Sequence, residues 1–110
     1  GIHVVSNIFT VDKGITKVLL IKRTKDPYKG YWALPGGAMY NNELVIDAAK
    51  RELKEKTGIK EIDLSMHKIL DDIDRSPLKR MIAISFIGVM DIEKAELLNQ
   101  TNKTSDIGRL

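Results

Sequence analysis

Glu52 and Glu55 stand three residues apart in the run RELKEKTG, directly after Arg51; Glu43 lies eight residues before Arg51, and Gly36 and Gly37 follow Pro35. On a helix, a spacing of three puts both carboxylates on one face. Consecutive glycines are used where a backbone must turn sharply or approach a ligand closely. Carboxylates beside exposed main-chain carbonyls make an oxygen-rich site suited to a hard divalent cation. Magnesium takes a few carboxylates, keeps several waters and completes its shell with substrate phosphates. The same helix also fits a solvated face. Asp47 with Arg51, Arg51 with Glu55 and Glu52 with Lys56 are each four apart, and the last has the favoured order of acid before base. Each such pair contributes only ~0.2–0.5 kcal/mol. Spacing alone favours the ion-paired surface; the Pro-Gly-Gly approach turns the balance toward a cation site.

Several elements must position these residues. HVVSNIFTV and ITKVLLIKR are β-branched runs separated by DKG, which predicts strands near 2–10 and 15–23 joined by a hairpin turn. TKDPYKGY reads as loop and WALP as a short extended piece ended by Pro35. A loop from Gly36 to Asn42 leads into a helix from about Glu43 to Thr57. Leu44, Val45, Ala48, Ala49 and Leu53 recur at helical spacing there, with Asn41 or Asn42 as cap and Gly58 as stop. EIDLSMHKIL and RMIAISFIGVMD read as strands joined by a loop containing DRSPLKR, and EKAELLN reads as a short helix. No repeat, low-complexity tract or linker interrupts the pattern, so residues 1–110 form a single domain of the α/β or α+β class.

Composition limits the function classes. With 43% hydrophobic and 30% charged residues the chain is globular. No apolar run approaches the ~18–20 residues of a membrane span. Cysteine is absent, and these residues carry no charged leader with a small-residue cleavage site, so a cytoplasmic protein without disulfides is expected. A net charge of +3 suits a small phosphate-bearing ligand. The Lys and Arg residues are scattered and form no basic block, so nucleic-acid binding is not expected of this domain alone. His3 and His67 sit singly in predicted strands and read as ordinary packed or surface histidines. Trp32 reads as core or as the lip of a cleft.

The stretch from Gly37 to Ile59 resembles the signature of the Nudix (MutT-like) hydrolases: a Gly, five residues, a Glu, seven residues, then Arg-Glu-apolar-x-Glu-Glu-x-Gly-apolar. Gly37, Glu43, Arg51, Glu52, Leu53, Glu55, Gly58 and Ile59 match eight of the nine defined positions. WALPGG and the strand ending in LLIKR are similar to the same family's approach to the site. The resemblance implies a mixed β-sheet sandwiched by helices. Because family domains run on through a further strand and helix, the chain looks shortened at its C-terminal end. It implies Glu52, Glu55 and the Gly36 carbonyl as ligands of magnesium, with manganese as the alternative. Glu52 becomes the first choice of catalytic base, supported by Glu43 and Arg51, with Arg23 and Gly37 beside the substrate. Asp71, Asp72, Asp74 and Glu93 are further candidates for the base.

The ninth position departs from the pattern: Lys56 stands where the signature has a second consecutive Glu. Charged lysine offers donors and no lone pair, so it cannot serve as a carboxylate ligand. Two functions follow from the resemblance. The leading one is an enzyme, a metal-dependent pyrophosphohydrolase cleaving a nucleoside diphosphate linked to another moiety, with ADP-ribose favoured by LPGG and the DRSPLKR loop. The alternative is a Nudix-like ligand-sensing module with weak or absent turnover, similar to ADP-ribose-sensing regulators of NAD metabolism that carry a DNA-binding domain beyond it. A small-molecule nucleotide is the expected partner in both, and a homodimer is a further expectation.

Overall fold

The computed structural model describes residues 1–26, 28–73, 80–101 and 105–109, with side chains described as far as Leu97. The two β-branched runs form β1 (Ile2–Asp12) and β2 (Ile15–Lys22), paired antiparallel from Phe9↔Val18 to Asp12↔Ile15. Lys13 (φ 52°) and Gly14 (φ 79°) both take left-handed backbone. A two-residue turn of that hand matches the twist of its strands. A 3.0 Å ion pair between Lys17 and Asp12 closes the hairpin.

Beyond Phe9 and Val18 the two strands part. Continuing their register would set Val5 opposite Lys22; instead Val5 pairs with Gly36 and Lys22 with Trp32. β3 (Trp32–Ala33) therefore joins β2, and β4 (Gly36–Ala38) joins β1. The glycines expected in a loop are thus strand. Their missing side chains are the reason: a Cβ on Gly36 would run into the Val4 carbonyl oxygen and lie 3.0 Å from Val5 Cγ1.

The helix expected from Glu43 is α1 (Val45–Thr57), followed by β5 (Ser65–Leu70), β6 (Ile82–Val89), α2 (Ile92–Thr101) and β7 (Ser105–Arg109). β6 runs parallel to β1 along Ile2–Phe9, β5 pairs antiparallel with β6, and β7 pairs antiparallel with β2. The sheet is therefore mixed, in the order β3-β2-β1-β6-β5, with two helices among the described residues. The last strand, in SDIGR, carried no signal in the sequence reading.

Even-numbered positions of β1, namely Val4, Ser6, Ile8 and Thr10, are buried. Val4 packs with Ala48, Ala49 and Phe86, and Ile8 with Leu19, Leu53 and Ile59. The alanines let α1 lie close to the sheet, and burial of each large apolar side chain contributes about 1.5–3 kcal/mol. Leu44, expected on the inner stripe, is 68% exposed. It is the N-cap, with extended backbone (φ −75°, ψ 156°), and stands outside the helical repeat. Neither Asn41 nor Asn42 caps the helix, since the cap position makes no side-chain hydrogen bond. Gly58 ends the helix as expected, left-handed at φ 83°, its N–H donating to the Lys54 carbonyl at 2.9 Å. Among the described residues no helix is long and apolar enough to cross a membrane.

Candidate functional site

The inner face of α1 meets β4 at two adjoining clusters. In the first, Arg51 grips Glu43 with two parallel bonds: Nε donates to Oε2 at 3.0 Å and Nη2 to Oε1 at 2.8 Å. Nη2 also donates to the Ala38 carbonyl at 2.9 Å, and the guanidinium lies 3.8 Å over the Tyr40 ring. The Tyr40 N–H donates to Glu43 Oε1 at 2.8 Å. Arg51's hydrogen bonds, then Tyr40's N–H, hold the Glu43 carboxyl below its ordinary value of 4.5. Glu43 in turn raises the Arg51 guanidinium. Arg51 therefore ties helix, loop and β4 together. Tyr40 was not expected as its stacking partner, and nothing in the sequence pattern signals that contact.

The second cluster centres on Glu52, whose side chain is 10% exposed. Its carboxylate rests on Gly37: a Cβ there would collide with Oε1 and lie 2.6 Å from Cδ. Oε1 is 3.5 Å from Arg51 Nη1, which is also 3.5 Å from Glu55 Oε2. The structure thus brings both expected carboxylates to one arginine, with Glu52 buried and the Glu55 side chain 55% exposed. Glu52 Oε2 is buried without a hydrogen bond among the described residues, and the Lys56 ammonium stands 3.6 Å from it. The same ammonium donates to the Gly36 carbonyl at 2.7 Å.

Two of the three residues expected to hold magnesium, Gly36 and Glu52, are therefore engaged with the Lys56 ammonium, and the third, Glu55, faces Arg51. A divalent ion on the Gly36 carbonyl would sit a few ångström from the Lys56 charge, a repulsion of ~2 kcal/mol in water and ~8 kcal/mol at an effective dielectric near 20. Among the described residues no three His, Asp or Glu side chains cluster so as to hold a metal ion. With Lys56 charged and in this position, the donor set does not fit a divalent ion.

Beside this cluster opens a pocket of ≈ 300 Å³ lined by Ile21, Lys22, Arg23, Thr24, Lys25 and Lys56. Arg23, named from the sequence, and Lys56 share it with Lys22, the last residue of β2, and Lys25, neither of which was expected there. The Arg23 backbone is fixed by bonds to Tyr31 and Gly30. The other candidate bases lie elsewhere. Asp71 and Asp72 are exposed and accept Arg80 through their main-chain carbonyls. Glu93 lines a separate hollow with Thr10 and Met90. Asp74 and most of the DRSPLKR loop lie outside the described residues.

Both the sequence and the fold have counterparts among known proteins. The family model described as NUDIX domain matches residues 2–108. The chain is 42% identical over 81 residues to an ADP-ribose pyrophosphatase of Methanocaldococcus jannaschii, covering 74% of this chain and 47% of that protein. It is 31% identical over 101 residues to the ADPR responsive transcriptional repressor NtrR of Acinetobacter baylyi, covering 90% of this chain and 40% of that protein. The NUDIX domain of Shewanella oneidensis NrtR, solved in complex with ADP ribose, superposes with a TM-score of 0.75 at 25% identity, over 82% of this chain and 60% of that one. The chain spans less than half the length of the two sequence relatives.

Proposed function

The chain belongs to the Nudix family, and from that premise we propose that it binds ADP-ribose or a closely related nucleoside diphosphate and acts as a ligand-sensing domain. The observation that carries this reading is the pocket of Lys22, Arg23, Lys25 and Lys56 beside Gly36 and Glu52. Four cationic side chains around ≈ 300 Å³ suit a diphosphate. Ligand clefts of this size, ~300–1,000 Å³, are typical of small-molecule sites, and arginine adds planar, bidentate recognition of phosphate. Similarity to an ADP-ribose-responsive repressor and to a domain solved with ADP ribose supports the ligand class. Lys56 in place of the acid supports sensing over turnover.

A second reading, hydrolysis of the same ligand, is favoured by the 42% identity to an ADP-ribose pyrophosphatase and by Glu43, Arg51, Glu52 and Glu55 matching the signature. That reading keeps magnesium or manganese as cofactor, and it requires the Lys56 ammonium to leave the Gly36 carbonyl.

Calorimetric titration with ADP-ribose, run beside an assay of AMP release in magnesium and in manganese, separates the two. The sensing domain binds ADP-ribose and releases no AMP, and Arg23→Ala weakens binding about tenfold, equivalent to ~1.4 kcal/mol. AMP release that stops in Glu52→Gln would establish the hydrolase instead. Absence of ADP-ribose binding would remove both.

A further inference from the structure

We propose that the Lys56 ammonium is this domain's resident cation, filling the carbonyl–carboxylate cradle of Gly36 and Glu52 so that a diphosphate is bound there without a metal ion. The inference rests on the proposed function for the identity of the ligand, and on the geometry alone for the exclusion of metal. Glu52 and Lys56 are four apart on α1. Side chains on a helix lean toward its N-terminus, so lysine at the later position folds back over the earlier glutamate. Its length carries Nζ to the Gly36 carbonyl at 2.7 Å while keeping it 3.6 Å from Glu52 Oε2.

A buried carboxylate requires a compensating charge. Glu52 is 7% exposed, with Oε2 lacking a hydrogen bond among the described residues. Arg51 faces Oε1 at 3.5 Å, and Lys56 supplies the charge at Oε2 from within the chain. Relative to the glutamate of the signature, lysine adds two positive charges, the charge of one magnesium ion. The local charge offered to a diphosphate is therefore the same as that of a glutamate with magnesium bound. The ammonium also lines the cationic pocket with Arg23, so its charge faces the ligand as a bound ion's would.

Two readouts test this. Electron paramagnetic resonance of free Mn2+ reports metal uptake with no nucleotide present, and calorimetry with ADP-ribose is run in EDTA and in magnesium. The wild-type protein should leave the Mn2+ signal undiminished, and its ADP-ribose affinity should differ by less than about threefold between buffers. Lys56→Glu should take up Mn2+ and bind ADP-ribose at least about tenfold more weakly in EDTA than in magnesium. Lys56→Met, checked for folding by circular dichroism, should lose affinity in both buffers. Mn2+ uptake by the wild type, or a tenfold loss of wild-type affinity in EDTA, overturns the inference. So does a folded Lys56→Glu that takes up no Mn2+. Should ADP-ribose bind in neither buffer, the proposed ligand falls, and the Mn2+ contrast still decides the role of Lys56. Should Lys56→Glu not fold, the wild-type Mn2+ and EDTA results decide it.

Discussion

At the Glu43 end of the site the contacts are dense: two bonds between Arg51 and Glu43, one to the Ala38 carbonyl, one from the Tyr40 N–H, and a ring beneath the guanidinium. At the Glu52 end the contacts are sparse. One buried oxygen lacks a hydrogen bond among the described residues, and the facing cation stands 3.6 Å away. The first cluster is a clamp that fixes helix to strand, and its ion pair, Glu43 with Arg51, matches the Nudix signature. The second borders the cationic pocket, and there Lys56 departs from the signature. Lys56 leaves the clamp intact because Arg51, rather than the second glutamate, holds α1 on β4. A family scaffold can thus change its electrostatics at one end of a helix and keep its architecture at the other.

The contrast breaks most severely at the glycines. Gly36→Ala should destabilise the protein by about 1–3 kcal/mol, since its Cβ meets fixed backbone at Val4 and Val5. Gly37→Ala meets the end of the Glu52 side chain, which can swing aside. It should fold with a smaller loss and bind ADP-ribose more weakly. Urea unfolding and calorimetry on both variants check the order; a larger stability loss for Gly37→Ala would reverse it.

Next in size is the clamp. Arg51→Ala should lower Tm by roughly 4–8 °C, the shift that ~1 kcal/mol causes in a domain of this size. Lys56→Met should lower it less, because a single partly exposed ion pair contributes ~0–1 kcal/mol. Thermal melts of the two variants compare the clamp with the ligand end directly.

The smallest effect is at acid pH. Glu43 has its folded value held below 4.5 by Arg51 and Tyr40. Its contribution is therefore complete above that ordinary value and is lost as pH falls through the lowered one. Melts of the wild type and Glu43→Gln from about pH 6 to about pH 3 should converge as the acid limb is descended. A gap between them that stays constant would remove the carboxylate's role in the clamp.

Much of this molecule was legible in the sequence because local patterns dictated it. β-branched runs made the strands of the first hairpin, apolar recurrence made α1, and Gly58 stopped it in the left-handed region. The spacing of Glu52 and Glu55 placed both on one face of a helix, and the structure brings them, together with Glu43 from the preceding loop, to Arg51. What local pattern could not carry was contact between distant segments. Gly36–Ala38 became a strand because β1 and β2 part and leave edges free to pair, and Gly36 lies against Val4 and Val5 where a side chain would collide. Tyr40 found Arg51, and SDIGR found β2, by the same tertiary route. The sequence determined that Lys56 replaces an acid. Only the fold, by setting a main-chain carbonyl from 20 residues away at 2.7 Å from its ammonium, decided that the replacement ties α1 to β4 beside Glu52.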